Sequence, residues 1–167
     1  HRRWPGLLSR LRSAVDEEAA EPRRLASVVW AFANLRFSQR PLLDAIAARV
    51  VERPPGRWDS MSLSLVPQSF AMLHARHAGL LASVSAQVRQ ETSAAWGPGD
   101  VSRVVWAWAK LLQRDDALFR DASCKMLSRL HECSPSMLAQ TVWAFATAGP
   151  RETAEAHFFP RAAAAMR

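Results

Sequence analysis

The chain has 167 residues, 49% of them hydrophobic, and a formal net charge of +7. That is enough apolar material for one sizeable core and excludes a disordered tail. No apolar run approaches about 18 residues, so no transmembrane helix is expected, and two cysteines, Cys124 and Cys133, exclude a disulfide framework and point to a reducing compartment.

In chain order, Leu7, Leu8 and Leu11 open a first helix just after Trp4. A second helix is predicted from Pro22, with Leu25, Val28, Phe32 and Leu35 on one face and VVWAFANL at its centre over 28–35. A third carries Leu42, Leu43, Ile46 and Val50, and the turn Pro54-Pro55-Gly56 follows. From Ser60 the second helix recurs in degenerate form, VPQSFAML over 66–73, with Gln68 in the tryptophan position. Pro67 lies inside this helix, where it removes a backbone bond, so a kink is expected near Leu63–Pro67. Leu80, Leu81, Val84 and Val88 repeat the third helix in the same register. After Gly97-Pro98-Gly99 comes VVWAWAKL over 104–111, then Leu118, Phe119, Ala122 and Met126, then TVWAFATA over 141–148. Gly149-Pro150 leads to a last helix with Phe158, Phe159, Ala162 and Met166.

The spacing is periodic, with a repeat of about 38 residues. Two such lengths separate Trp30 from Trp106, and just under one separates Trp106 from Trp143. Pro22, Ser60, Pro98 and Pro135 share one column, which reads as the first helical position, where a missing N–H is harmless. Asp59 and Ser134 stand before it as good N-caps, and Glu21 as a weaker one. These columns predict an all-α fold, a right-handed α-solenoid of about four helix–turn–helix repeats of about 37–38 residues plus a terminal helix. The whole chain, 1–167, is expected to form one repeat domain, with repeats at about 5–38, 39–76, 77–113 and 114–150 and a partial one at 151–167. The expected repeat core is Trp30, Phe32, Phe70, Trp106, Trp108, Trp143 and Phe145, with small columns at Ala33/Ala71/Ala109/Ala146 and Ala31/Ser69/Ala107/Ala144 allowing close helix approach.

A helix pair of this length with a proline-capped second helix and the core L-x-x-VVWAFA-x-L resembles the octotricopeptide repeat (OPR) family. It is also similar to the helical arrays that precede RAP domains in algal and protist organellar proteins. The resemblance spans about residues 7–167. It implies an α-solenoid, a mitochondrial or plastid location, and RNA binding in transcript maturation, translation or ribosome assembly. His1 is not a methionine, so a processed product or a fragment is expected, with any targeting segment out of view.

Two polar columns vary along the otherwise regular second helices: Ser27/Leu65/Arg103/Gln140 and Asn34/Met72/Lys110/Thr147. Modular repeat proteins read about one base per repeat with such residues, so Ser27, Asn34, Arg103, Lys110, Gln140 and Thr147 are candidate RNA or partner contacts. The expected partners are single-stranded or ribosomal RNA and other protein subunits of a large organellar complex. The charge is spread at about +3, +1, +2 and +1 over 1–36, 37–75, 76–112 and 113–167, with no basic tail. Trp4, Trp58 and Trp96 fall in or near loops, where stacking or partner contact is more open than at the helical tryptophans. There is no phosphate-cradling glycine loop, nucleophile elbow or H-E-x-x-H. His74 with His77 and His131 beside Glu132 are weak metal motifs, and Asp115-Asp116 suit a helix N-terminus. No metal, cofactor or catalytic residue is expected. The alternative function is a structural scaffold subunit of a mitochondrial ribosome or of a respiratory or photosynthetic complex.

Overall fold

The computed structural model describes residues 6, 9, 10, 12, 13, 15, 21–52, 57–91 and 95–165. Trp4, Leu7, Leu8, Leu11, Pro54-Pro55-Gly56 and Met166 lie outside them. Among the described residues there is no strand, and the fold is an all-α helical repeat. The main helices are α1 (Pro22–Asn34), α2 (Arg40–Glu52), α3 (Ser60–Met72), α4 (Ala78–Gln90), α5 (Pro98–Lys110), α6 (Asp116–Ser128) and α7 (Pro135–Ala148). A 3-10 turn, Leu130–Glu132, precedes α7, and a π-helical segment, Thr153–Phe158, leads into α8 (Phe159–Ala165). The helices α1, α3 and α5 begin at equal intervals, and α2, α4 and α6 begin at the same interval, so one register governs both sets.

The starts of these helices follow from their caps. Pro22, Pro98 and Pro135 occupy the first turn. Asp59 accepts the Ser62 backbone N–H at 2.9 Å and Ser134 accepts that of Met137 at 3.3 Å, while Glu21 makes no side-chain cap. Of the alternate helices, α4 and α6 are capped too. His77 Nδ1 accepts the Leu80 N–H at 3.1 Å, and Asp115 accepts that of Leu118 at 3.0 Å and the Ser85 hydroxyl at 2.5 Å. Each cap fills an orphan donor of a helix N-terminus.

The ends repeat as well. Arg36, His74 and Leu112 hold equivalent places in successive repeats, and all have φ of 51–52°. At each, the next N–H reaches back five residues: Phe37 to the Phe32 carbonyl (2.9 Å), Ala75 to Phe70 (2.8 Å) and Gln113 to Trp108 (2.8 Å). This is the Schellman closure, which ordinarily favours glycine at the left-handed position. The chain uses an arginine, a histidine and a leucine there instead.

The chain divides into two compact units, His1–Val84 and Ser85–Arg167. In the first, α1 packs chiefly on α3, around Leu25, Val29, Phe32, Leu63, Val66 and Phe70, with Leu42, Leu43, Ile46 and Val50 of α2 also buried. Ala33 is buried in this unit while Ala31 is exposed. In the second, α5 packs on α7 and α6. Phe145 lies edge-on to Phe119 (5.1 Å between centroids) and stacks on Phe158 (4.6 Å), an aromatic chain in the preferred geometries. Here Ala144 is buried and Ala146 exposed. The helix containing Pro67 runs without interruption from Ser60 to Met72, so the proline does not end it.

Three expectations about tryptophan need correction. Trp30 and Trp143, assigned to the core, are 48% and 44% exposed, and Trp106 is only half-buried. At about 100° per residue, the buried residues of α1 (Leu25, Ala26, Val29, Phe32, Ala33) span an arc from roughly −20° to 100° around Leu25, and Trp30 falls at roughly 140°. Conversely Trp58 and Trp96, where the sequence leaves partner contact more open than at the helical tryptophans, are 2% and 0% exposed. Each stands just before an N-cap, Asp59 or Gly97, ahead of the helix's first buried aliphatic column, Leu63 or Val101. That is the placement of a hydrophobic staple. Trp96 Nε1 donates to Glu91 Oε2 at 2.7 Å; Trp58 Nε1 has no partner among the described residues. Leu35, placed on the apolar face, is 66% exposed, because it belongs to the cap rather than the helix.

Candidate functional site

The outer face of α1 is built from Trp30, Asn34, Ser27 and Ala31, at roughly 140°, 180°, 200° and 240° from Leu25. All four are exposed. The tryptophan column therefore lies beside both polar columns, and on each of α1, α5 and α7 the two candidate residues share their own helix's face with an exposed or half-exposed indole. On α7 the same face presents Gln140, Trp143 and Thr147; on α5 it presents Arg103, Trp106 and Lys110. On α3 the corresponding residues are Leu65, Gln68 and Met72, all half-buried, so this copy of the face carries no indole.

Most of the polar groups are engaged locally. The Ser27 hydroxyl donates to the Arg23 carbonyl, the Asn34 amide to the Trp30 carbonyl and the Thr147 hydroxyl to the Trp143 carbonyl, each at 2.8 Å and each four residues back. Arg103 pairs with Asp100 one turn earlier. Gln140 Oε1 accepts the Ser102 hydroxyl at 3.2 Å. Lys110, in the last turn of α5, is exposed to solvent. These bonds occupy donors and one acceptor that base-edge reading would use, while the indole faces stay available for stacking.

In the first unit the face continues through Arg23, whose Nε donates to Asp59 Oδ2 at 3.1 Å. Burial works against the Asp59 charge, but the Ser62 backbone N–H, the Arg23 guanidinium and the Ser62 hydroxyl outweigh it and hold the carboxyl below its ordinary value.

The weaker motifs separate. His77 is a helix cap, and His74 is the left-handed residue that closes α3. Glu132 is held by a two-pronged bond from Arg129 (2.7 and 2.6 Å), which keeps its carboxyl below the usual range. Burial and then the Glu132 charge push the Cys133 thiol up, so it is a poor nucleophile at neutral pH. Among the described residues no three metal-ligating side chains gather, and no helix is long and apolar enough to cross a membrane. No family model matches this chain, and neither does any curated protein or solved structure.

Proposed function

We propose that this chain is a non-catalytic helical-repeat protein of a mitochondrion or plastid that binds single-stranded or ribosomal RNA within a ribonucleoprotein or ribosome-related assembly. One observation carries the reading: a recurring tryptophan is turned outward on α1 and α7 and partly outward on α5, in each case beside that helix's own members of the two polar columns, which on α5 are Arg103 and Lys110. Exposed indoles suit unpaired bases, which stack on aromatic faces with little regard to sequence, and Arg103 and Lys110 suit phosphates. The OPR resemblance supports the same reading. Because Ser27, Asn34 and Thr147 are bonded to their own helices, recognition by stacking is favoured over a base-by-base code.

A gel-shift titration with short single-stranded RNA at several salt concentrations tests this. Binding that weakens with salt and with Lys110→Ala is expected; no binding at low salt would exclude it. A scaffold subunit of an organellar complex is the second reading. It is favoured by the engagement of those polar groups, which leaves an aromatic face that also suits a protein partner. A salt-resistant, stoichiometric association with a protein complex, without RNA, would select it.

A further inference from the structure

Chain segments leave α1, α3 and α5 through loops of equal length, at 35–39, 73–77 and 111–115, but leave α7 through Gly149 and Pro150 alone. Gly149 has φ −75°, outside the left-handed region of the other three closures. A Cβ there would lie 2.8 Å from the Phe145 carbonyl oxygen, so the connection requires glycine. The shortened connection feeds the π-helical turn Thr153–Phe158, a rare geometry that recurs at functional sites.

Between this segment and α6 lies a cavity of about 670 Å³, within the size range of small-ligand sites. Its basic residues are Arg120 on α6, Arg161 on α8 and His157 on the π-helical turn, and Glu152 is the acidic residue among those lining it. Neither Arg120 nor Arg161 forms an ion pair or hydrogen bond among the described residues. Ser123 (3% exposed) and Thr153 (9%) also line the cavity, and their hydroxyls have no hydrogen-bond partner among the described residues. Other helical hydroxyls in the chain are not left this way: Ser27, Ser69, Thr141 and Thr147 each bond the carbonyl four residues back. These two hydroxyl oxygens are not among the enclosed polar atoms of the described residues, so they open into the cavity and can donate to a ligand there.

We infer that this cavity binds a phosphomonoester of about nucleotide size. Two guanidinium forks and two hydroxyl donors exceed what one carboxylate accepts, whereas a phosphate group presents three strong acceptor oxygens. Leu127 and Pro150 form the apolar wall for the rest of the molecule. The site is separate from the tryptophan face and does not depend on the RNA reading.

Calorimetric titration of the whole chain with AMP, adenosine and a 5′-phosphorylated oligonucleotide tests it. Saturable AMP binding is expected, with none for adenosine. Arg120→Ala and Arg161→Ala should each weaken AMP by at least about tenfold, the effect of losing one charge-assisted hydrogen bond. Glu152→Gln should strengthen it. Equal affinity for AMP and adenosine, no AMP binding at millimolar concentration, binding of the oligonucleotide alone, or insensitivity to both arginine variants would overturn it.

Discussion

Trp58 and Trp96 stand in the loops that enter α3 and α5, whereas Trp30 and Trp143 stand inside α1 and α7. The loop pair is almost wholly buried and the helical pair is about half exposed. A residue just ahead of an N-cap is folded back over the first turn of its helix, so the loop indoles become part of the core. A residue five positions after the first core leucine has rotated past the buried arc, so Trp30 and its counterparts face outward however apolar they are. Burial in this fold is set by position within the repeat, and the same residue type serves packing in one place and an open surface in the other.

The widest separation between the two pairs is expected in stability. Trp96→Ala should cost about 3–5 kcal/mol in chemical denaturation, the usual cost of emptying a buried tryptophan site, and a cost under about 1 kcal/mol would break the comparison. Within the loop pair, Glu91→Ala should remove the partner of the Trp96 N–H and cost about 1–3 kcal/mol, leaving Trp96 in the situation described for Trp58; an unchanged midpoint would show that this bond contributes nothing. Asp59→Ala, which removes the cap directly after Trp58, should cost about 1 kcal/mol. The folded Asp59 carboxyl is held below its ordinary value. Its contribution is therefore present above the unfolded pKa and is lost as pH falls through the folded one. The Asp59→Ala variant should lose less stability than the parent on acidification below about pH 4; parallel pH curves would rule out the linkage. Smallest is Leu112→Gly. It relieves a left-handed leucine that is 73% exposed, and should raise the denaturation midpoint by about 0.5–1 kcal/mol of stability after the extra entropy of glycine.

Helix order, the proline column and the caps at Asp59 and Ser134 are legible in the sequence, because each rests on local backbone chemistry. The aromatic column Phe32, Phe70, Trp108 and Phe145 is legible too, since its spacing from Leu25 and its equivalents keeps it on the apolar face. The orientation of Trp30, Trp106 and Trp143 is not legible from recurrence alone: a large aromatic recurring from copy to copy resembles packing, and only its angle to Leu25 separates it from the core. That angle could have been taken from the sequence, as could the equivalent placement of Trp58 and Trp96 in successive repeats. The left-handed closures at Arg36, His74 and Leu112 carry no glycine to announce them. The cavity beside α6 depends on the π-helical turn after the shortened connection at Gly149-Pro150, which hydrophobic periodicity does not encode.

That the outward tryptophans stack RNA bases is the central claim, and the Trp30→Ala/Trp143→Ala double variant tests it most directly. Unfolding and single-stranded RNA affinity should be measured on the same preparation. The account predicts stability within about 2 kcal/mol of the parent and at least tenfold weaker RNA binding, given about 1–3 kcal/mol per stacked base. An unfolded variant would return these residues to the core, and a folded variant that binds RNA as tightly as the parent would contradict the stacking surface.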